Sequence, residues 1–188
     1  MTGMTETIEP LALATSGRIF EGRLPVSSLP RLLPLLVLDD DADTQHEVEY
    51  MLEFGKDEGG TPRITGSVTA TLPVKCQRCM GIMALPVSTK TQLGIVATRE
   101  AAQQLPEPYE PLLLPISEDD DGISIASIVE DELILALPLV AMHNKEDCPQ
   151  GDAFLGTKDG QEDAAAMQRE NPFAVLSQLK TSSSEKSD

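Results

Sequence analysis

Three observations predict an α+β domain, an antiparallel β-meander covered by one main helix. Residues 46–54 alternate, with His46, Val48, Tyr50, Leu52 and Phe54 on one side and Glu47, Glu49, Met51 and Glu53 on the other, the period of two that marks a strand with one wet face. Two more alternating runs follow at hairpin distance. A single strongly patterned helix comes after all of them, and strands followed by a helix to cover their apolar side is the layer order of an α+β fold. Behind this domain, residues 1–149, the chain turns polar and acidic. The expected remainder is a flexible acidic linker over 150–170, a short amphipathic helix over 171–180 and a disordered tail over 181–188.

Residues 17–24, GRIFEGRL, read as a short first strand. In SSLPRLLPLLVL, Ser27 or Ser28 is placed to cap a brief helix that Pro34 distorts. An acidic turn at 39–43 leads into the strand over 46–54, and the Gly-rich stretch from Gly55 to Pro62 reverses the chain. Ile64, Gly66, Val68, Ala70, Leu72 and Val74 then alternate with Arg63, Thr65, Ser67, Thr69 and Thr71, completing a hairpin. Met83, Leu85, Val87, Thr89, Thr91, Leu93 and Ile95 continue the alternation, so Cys-Gln-Arg-Cys lies at the tip of a second hairpin. Residues 99–111, with Pro106, Pro108 and Pro111, read as loop, and Tyr-Glu-Pro-Leu-Leu-Leu-Pro as an added edge strand.

Ser124 is the expected N-cap of the main helix, whose Ile125, Ile128, Val129, Leu133, Ala136 and Leu137 share one face. Glu118, Asp119, Asp120 and Asp121 precede it, where the positive end of the dipole favours carboxylates, and Pro138 stops it. On the helical wheel Glu132 falls inside the apolar stripe, between Ile128 and Ala136, while Glu130 and Asp131 point outward. Glu132 is therefore either a stripe-edge carboxylate reaching water or a cation, or a polar anchor or metal neighbour. Glu130, Asp131 and Glu132 are candidate partner contacts.

A net charge of −17 over 188 residues opposes wrapping a phosphate backbone and favours basic partners. With four Phe, two Tyr and no Trp there is no aromatic platform for bases. Lys75 and Arg78 either touch a phosphate or solvate a turn. The opening Met-Thr-Gly-Met-Thr-Glu-Thr-Ile-Glu-Pro shows neither basic nor apolar targeting character, the longest greasy run is broken by Pro34, and the three cysteines suit a reducing compartment. A cytoplasmic protein without a membrane role is the expectation.

Cys76 and Cys79 form half of a common zinc arrangement, and His143 with Cys148, beyond the main helix, are the candidate other half. The four make a candidate structural Cys3His zinc site; free thiols and a CxxC redox pair are the alternatives. Enzyme motifs are missing: no Walker loop, GxGxxG, GxSxG or HExxH. His46 falls on the apolar side of its strand, where a core role is commoner than a base. Near the C-terminus, Asn171 caps and Pro172 opens a short helix whose Phe173, Leu176 and Leu179 share a face, a tethered peptide that folds back or enters a partner's groove.

Four stretches taken together, VKCQRCMGIMALPV, LPEPYEPLLL, IVEDELILALPLVAMHNKEDC and NPFAVLSQLK, resemble the YceD family of large ribosomal RNA subunit accumulation proteins. The matching positions are Cys76, Arg78, Cys79, Glu130, Asp131, Glu132, Pro138, His143 and Cys148. The resemblance implies a bacterial cytoplasmic factor in the synthesis, processing or stability of 23S rRNA, and it brings no catalytic residues. The expectation is a non-enzymatic adaptor that meets a basic ribosomal protein or a large-subunit assembly factor, with any RNA contact indirect. A zinc-containing RNA-processing enzyme and a CxxC redox switch are the rivals.

Overall fold

The computed structural model describes residues 7–38, 46–115 and 122–149. Five strands, β1 (Ile19–Pro25), β2 (Glu47–Lys56), β3 (Pro62–Lys75), β4 (Ile82–Val96) and β5 (Glu110–Leu113), lie side by side in chain order in one sheet. The first four pair antiparallel, and β5 runs parallel to β4. The fold is α+β, with the meander extended by a first strand at one edge and a parallel strand at the other. A parallel neighbour needs a crossover, and residues 97–109 supply one that contains a short helix, α2 (Arg99–Ala102), where the sequence read as loop. Thr98 caps it, its hydroxyl accepting from the Ala101 N–H at 3.2 Å.

Alternation decides the two faces. Val48, Tyr50, Leu52 and Phe54 of β2 are buried while Glu47, Glu49, Met51 and Glu53 are exposed. Ile64, Val68 and Leu72 of β3 continue the inner face. Gly66 lies opposite Leu52, where a Cβ would overlap the Met51 carbonyl, so the close approach of β2 and β3 requires glycine. Two helices cover the inner face: α1 (Pro10–Ser16) packs on β2 and β3, and α3 (Ile125–Ala136) on β4 and β3. The sequence pattern did not foresee α1. Residues 7 and 8 tie it to the start of α3 through a Thr7–Ser124 bridge and an Ile8 N–H to Ile123 carbonyl bond of 2.8 Å.

The brief helix expected after β1 is instead two 3₁₀ turns, Val26–Ser28 and Leu33–Leu35. Pro30 and Pro34 remove donors that a helix would need, and the Ser28 hydroxyl donates back to the Pro25 carbonyl rather than capping. Even so, Val26, Leu29 and Leu32 are wholly buried. The main helix begins as expected, with a reciprocal box in which Ser124 Oγ accepts from Ser127 N–H at 3.0 Å and Ser127 Oγ accepts from Ser124 N–H at 2.9 Å. It ends one residue short of the expected face, with Leu137 as half-buried C-cap ahead of Pro138. The acidic residues expected before the helix, and the predicted linker, C-terminal helix and tail, lie outside the described residues.

Candidate metal centre

The β3–β4 connection, Cys76 to Gly81, is closed by Cys76 N–H to Gly81 carbonyl (2.8 Å) and Met80 N–H to Cys76 carbonyl (2.9 Å). Met80 adopts φ 62°, a left-handed conformation that costs a non-glycine residue about 1 kcal/mol. That strain persists because the turn is fixed from several directions. Beyond Pro138 the chain runs back along the tip, where the Gln77 N–H donates to the Ala141 carbonyl at 2.8 Å. A turn closed by Asp147 N–H to Asn144 carbonyl then returns Cys148.

The ligand atoms of Cys76, Cys79, His143 and Cys148 all lie within 4.8 Å of one another, and Cys79 Sγ is 3.5 Å from His143 Nδ1. Tetrahedral zinc with Zn–S bonds of ~2.3 Å sets its ligand atoms roughly 3.8 Å apart, so the spacing suits such an ion. Cys76 and Cys148 are buried, and Cys79 and His143 half-buried. The electrostatics fit a cation too. The Cys79 backbone N–H, helped by those of His143 and Arg78 and opposed by burial, brings the Cys76 thiol down to about 5. The Gly81 N–H favours a Cys79 thiolate, but burial and the Cys76 and Cys148 sulfurs outweigh it and push the Cys79 thiol up. Crowded sulfurs cannot all ionise unaided; a divalent cation would relieve that conflict. Arg78 beside the tip reaches Met142 Sδ at 3.8 Å through Nη2. Among the described residues this is the one group of metal-ligating side chains that converges.

The acidic triplet of α3 is arranged differently from its wheel. Glu130 points inward and is 3% exposed, which corrects the outward placement. Its Oε1 accepts from the backbone N–H groups of Arg31 (2.6 Å) and Leu32 (3.1 Å), and its Oε2 from Arg31 Nε (2.9 Å). The Leu32 N–H is shared with the Leu29 carbonyl at 3.1 Å, whereas the Arg31 N–H has Glu130 as its acceptor. Ala126 and Leu133 are buried beside Glu130, so the covered arc is turned toward it. Asp131 is exposed and meets Arg31 Nη1 at 2.7 Å. Glu132 lies half-buried at the other margin and accepts from Thr89 Oγ1 at 3.2 Å. Phe173, Leu176 and Leu179 lie outside the described residues. The sequence reading missed Arg31 and Thr89; the available signal for Arg31 was Pro30, directly before an N–H that no local carbonyl accepts.

Fold and donors define a class: a small α+β domain whose hairpin tip is brought against the exit of its main helix by a Cys3His group that could hold a metal ion. Residues 64–180 match the family described as large ribosomal RNA subunit accumulation protein YceD, and the chain belongs to that family. A relative from Haemophilus influenzae, described as large ribosomal RNA subunit accumulation protein YceD, is 32% identical over 178 residues, covering 93% of this chain and 94% of its own. No solved structure matches. Among the described residues no helix is long and apolar enough to cross a membrane.

Proposed function

We propose that the protein is a cytoplasmic, non-enzymatic adaptor needed for accumulation of 23S rRNA, and that it holds a basic ribosomal protein or large-subunit assembly factor rather than RNA. Membership of the YceD family carries the ribosomal part of this reading. A net charge of −17 supports a basic protein partner over a bare phosphate backbone. The Cys3His group supports structural zinc: four protein ligands fill a tetrahedral ion and leave no position for a reacting water. Zinc would fasten the hairpin tip to residues 141–148 and so present the surface around the C-terminal end of α3. The C-terminal peptide with Phe173, Leu176 and Leu179 would add an apolar anchor.

The test is capture of partners by tagged full-length protein from ribonuclease-treated lysate. Large-subunit proteins or assembly factors should persist, and deleting Asn171 to Lys180 should weaken their capture. Loss of every partner with the RNA would overturn the protein-binding reading; full retention after the deletion would remove the peptide from it. Protein purified without chelator should carry one zinc per chain, lost on Cys148→Ser.

A further inference from the structure

Between α3 and the β4–β5 edge lie two adjoining cavities of about 290 Å³ and 320 Å³, which share Glu110, Glu132 and Leu135 in their linings. Pro108 and Leu112 add apolar wall, and Leu135 is 75% exposed. The result is a groove with apolar sides whose charged lining is Glu110, Asp131 and Glu132 together with Lys90 and Arg31. Asp131 at one end is already paired with Arg31. Glu110 and Glu132 make no ion pair among the described residues. Thr91, 1% exposed, has a hydroxyl that completes no hydrogen bond, yet it stands close enough to the Glu132 carboxyl to favour its charged form. Thr89, two residues along the same strand face, donates to that carboxyl. Burial, with the Glu110 charge adding, holds the Glu132 carboxyl above its ordinary value. Glu110, Asp131 and Glu132 do not form a convergent three-ligand group among the described residues, and the apolar walls beside them suit a cation carried on an alkyl stem.

We infer that this groove takes an arginine side chain from a basic segment of the protein partner, the guanidinium fork meeting Glu132 and Glu110 and the alkyl stem lying along Leu135 and Pro108. Arginine fits better than lysine because its planar head offers several donors to two acceptors at once and is the more weakly hydrated. Its stem covers apolar wall that water otherwise meets. The inference rests on the adaptor reading and gives that reading a contact point. It also separates the triplet: Glu130 is internal, Asp131 is committed to Arg31, and Glu132 faces the partner.

The experiment titrates the isotope-labelled full chain with the capped peptide Leu-Arg-Leu and, separately, with the same peptide carrying citrulline, which keeps shape and loses charge. Amide shifts should centre on Thr89, Gln92, Glu110 and Leu135. Replacing arginine by citrulline, or the protein's Glu132 by Gln, removes a charge-assisted contact and should weaken binding roughly tenfold. Glu49→Gln on the opposite sheet face should change nothing. Equal binding of the citrulline peptide, unaltered binding by Glu132→Gln, or shifts centred on Glu47 and Glu49 would each overturn the groove. Lysate capture separates the two readings: an arginine site found by titration with no protein held after ribonuclease sinks the adaptor alone. Large-subunit proteins held undiminished by Glu132→Gln sink the groove alone.

Discussion

Two junctions fasten irregular segments to the sheet-and-helix framework, and they use opposite chemistry. At one, Cys76 and Cys79 on a hairpin tip face His143 and Cys148 from the chain beyond α3. At the other, the single buried carboxylate of Glu130 gathers the backbone of Arg31 and Leu32 and the Arg31 guanidinium. The first is a group that could hold an external cation, and the second carries its own. The difference teaches where stability is conditional. A ligand set depends on metal supply, while an internal ion pair depends only on folding. A buried carboxylate is costly unless its lone pairs find donors, and here the 29–34 segment provides them, the Arg31 N–H being one that would otherwise be an orphan.

The sharpest way to test the contrast is to remove the metal. With free zinc about a thousandfold above its dissociation constant, chelation should cost about 4 kcal/mol, read as a fall in the urea midpoint. Cys148→Ser should abolish that zinc-dependent difference and Glu130→Ala should preserve it, since the junctions share no partners. A midpoint indifferent to zinc in the wild-type chain would deny the first junction its conditional character. Next in size, Glu130→Ala should lower unfolding free energy by about 2 kcal/mol with or without zinc, because it strands the Arg31 N–H and takes one acceptor each from the Leu32 N–H and the Arg31 guanidinium, which keep Leu29 and Asp131. An unchanged midpoint would show that the junction contributes little.

Smaller effects probe the helix that joins the two junctions. Ser124→Ala opens the reciprocal cap of α3 and should cost about 1 kcal/mol; thermal melts showing no loss would mean Ser127 suffices. Glu132→Gln should have the opposite sign. A carboxyl whose folded value is raised adds stability below its unfolded value and loses it as pH rises through the folded one. The neutral variant should therefore gain up to about 0.5 kcal/mol at neutral pH, and the gain should vanish as acid protonates the wild-type residue. Urea midpoints of both proteins across that range check it, and a gain that grew on acidification would contradict the assigned cause. A variant both steadier and weaker in arginine binding would mark Glu132 as a partner contact rather than a support.

Much of the fold was legible because its signals are local. The alternation of 46–54 and 63–74 placed β2 and β3 face by face, and Ser124 and Pro138 bracketed α3. The parallel placement of β5 was not, since its four residues carry no mark of direction and the crossover through α2 decides it. The inward turn of Glu130 was hidden for a related reason. A helical wheel ranks faces by the helix's own residues, whereas the covered arc is set by what packs upon it, here a segment distant in sequence. Glu132 looked like the misplaced residue on the wheel, yet it lies at the margin, half-buried against Thr89.

The sequence by itself determined the faces of β2 and β3, the limits of α3 to within a residue and the four residue types of the Cys3His group, because each rests on spacing within a few residues or on chemistry a side chain carries anywhere. Only the tertiary structure decided that Cys76 and Cys79 meet His143 and Cys148, that Glu130 belongs to Arg31 and Leu32, and that the β4–β5 edge stands beside α3. Those are contacts between distant parts of the chain, fixed by the register of the sheet and the docking of α3 upon it, and no local period encodes them.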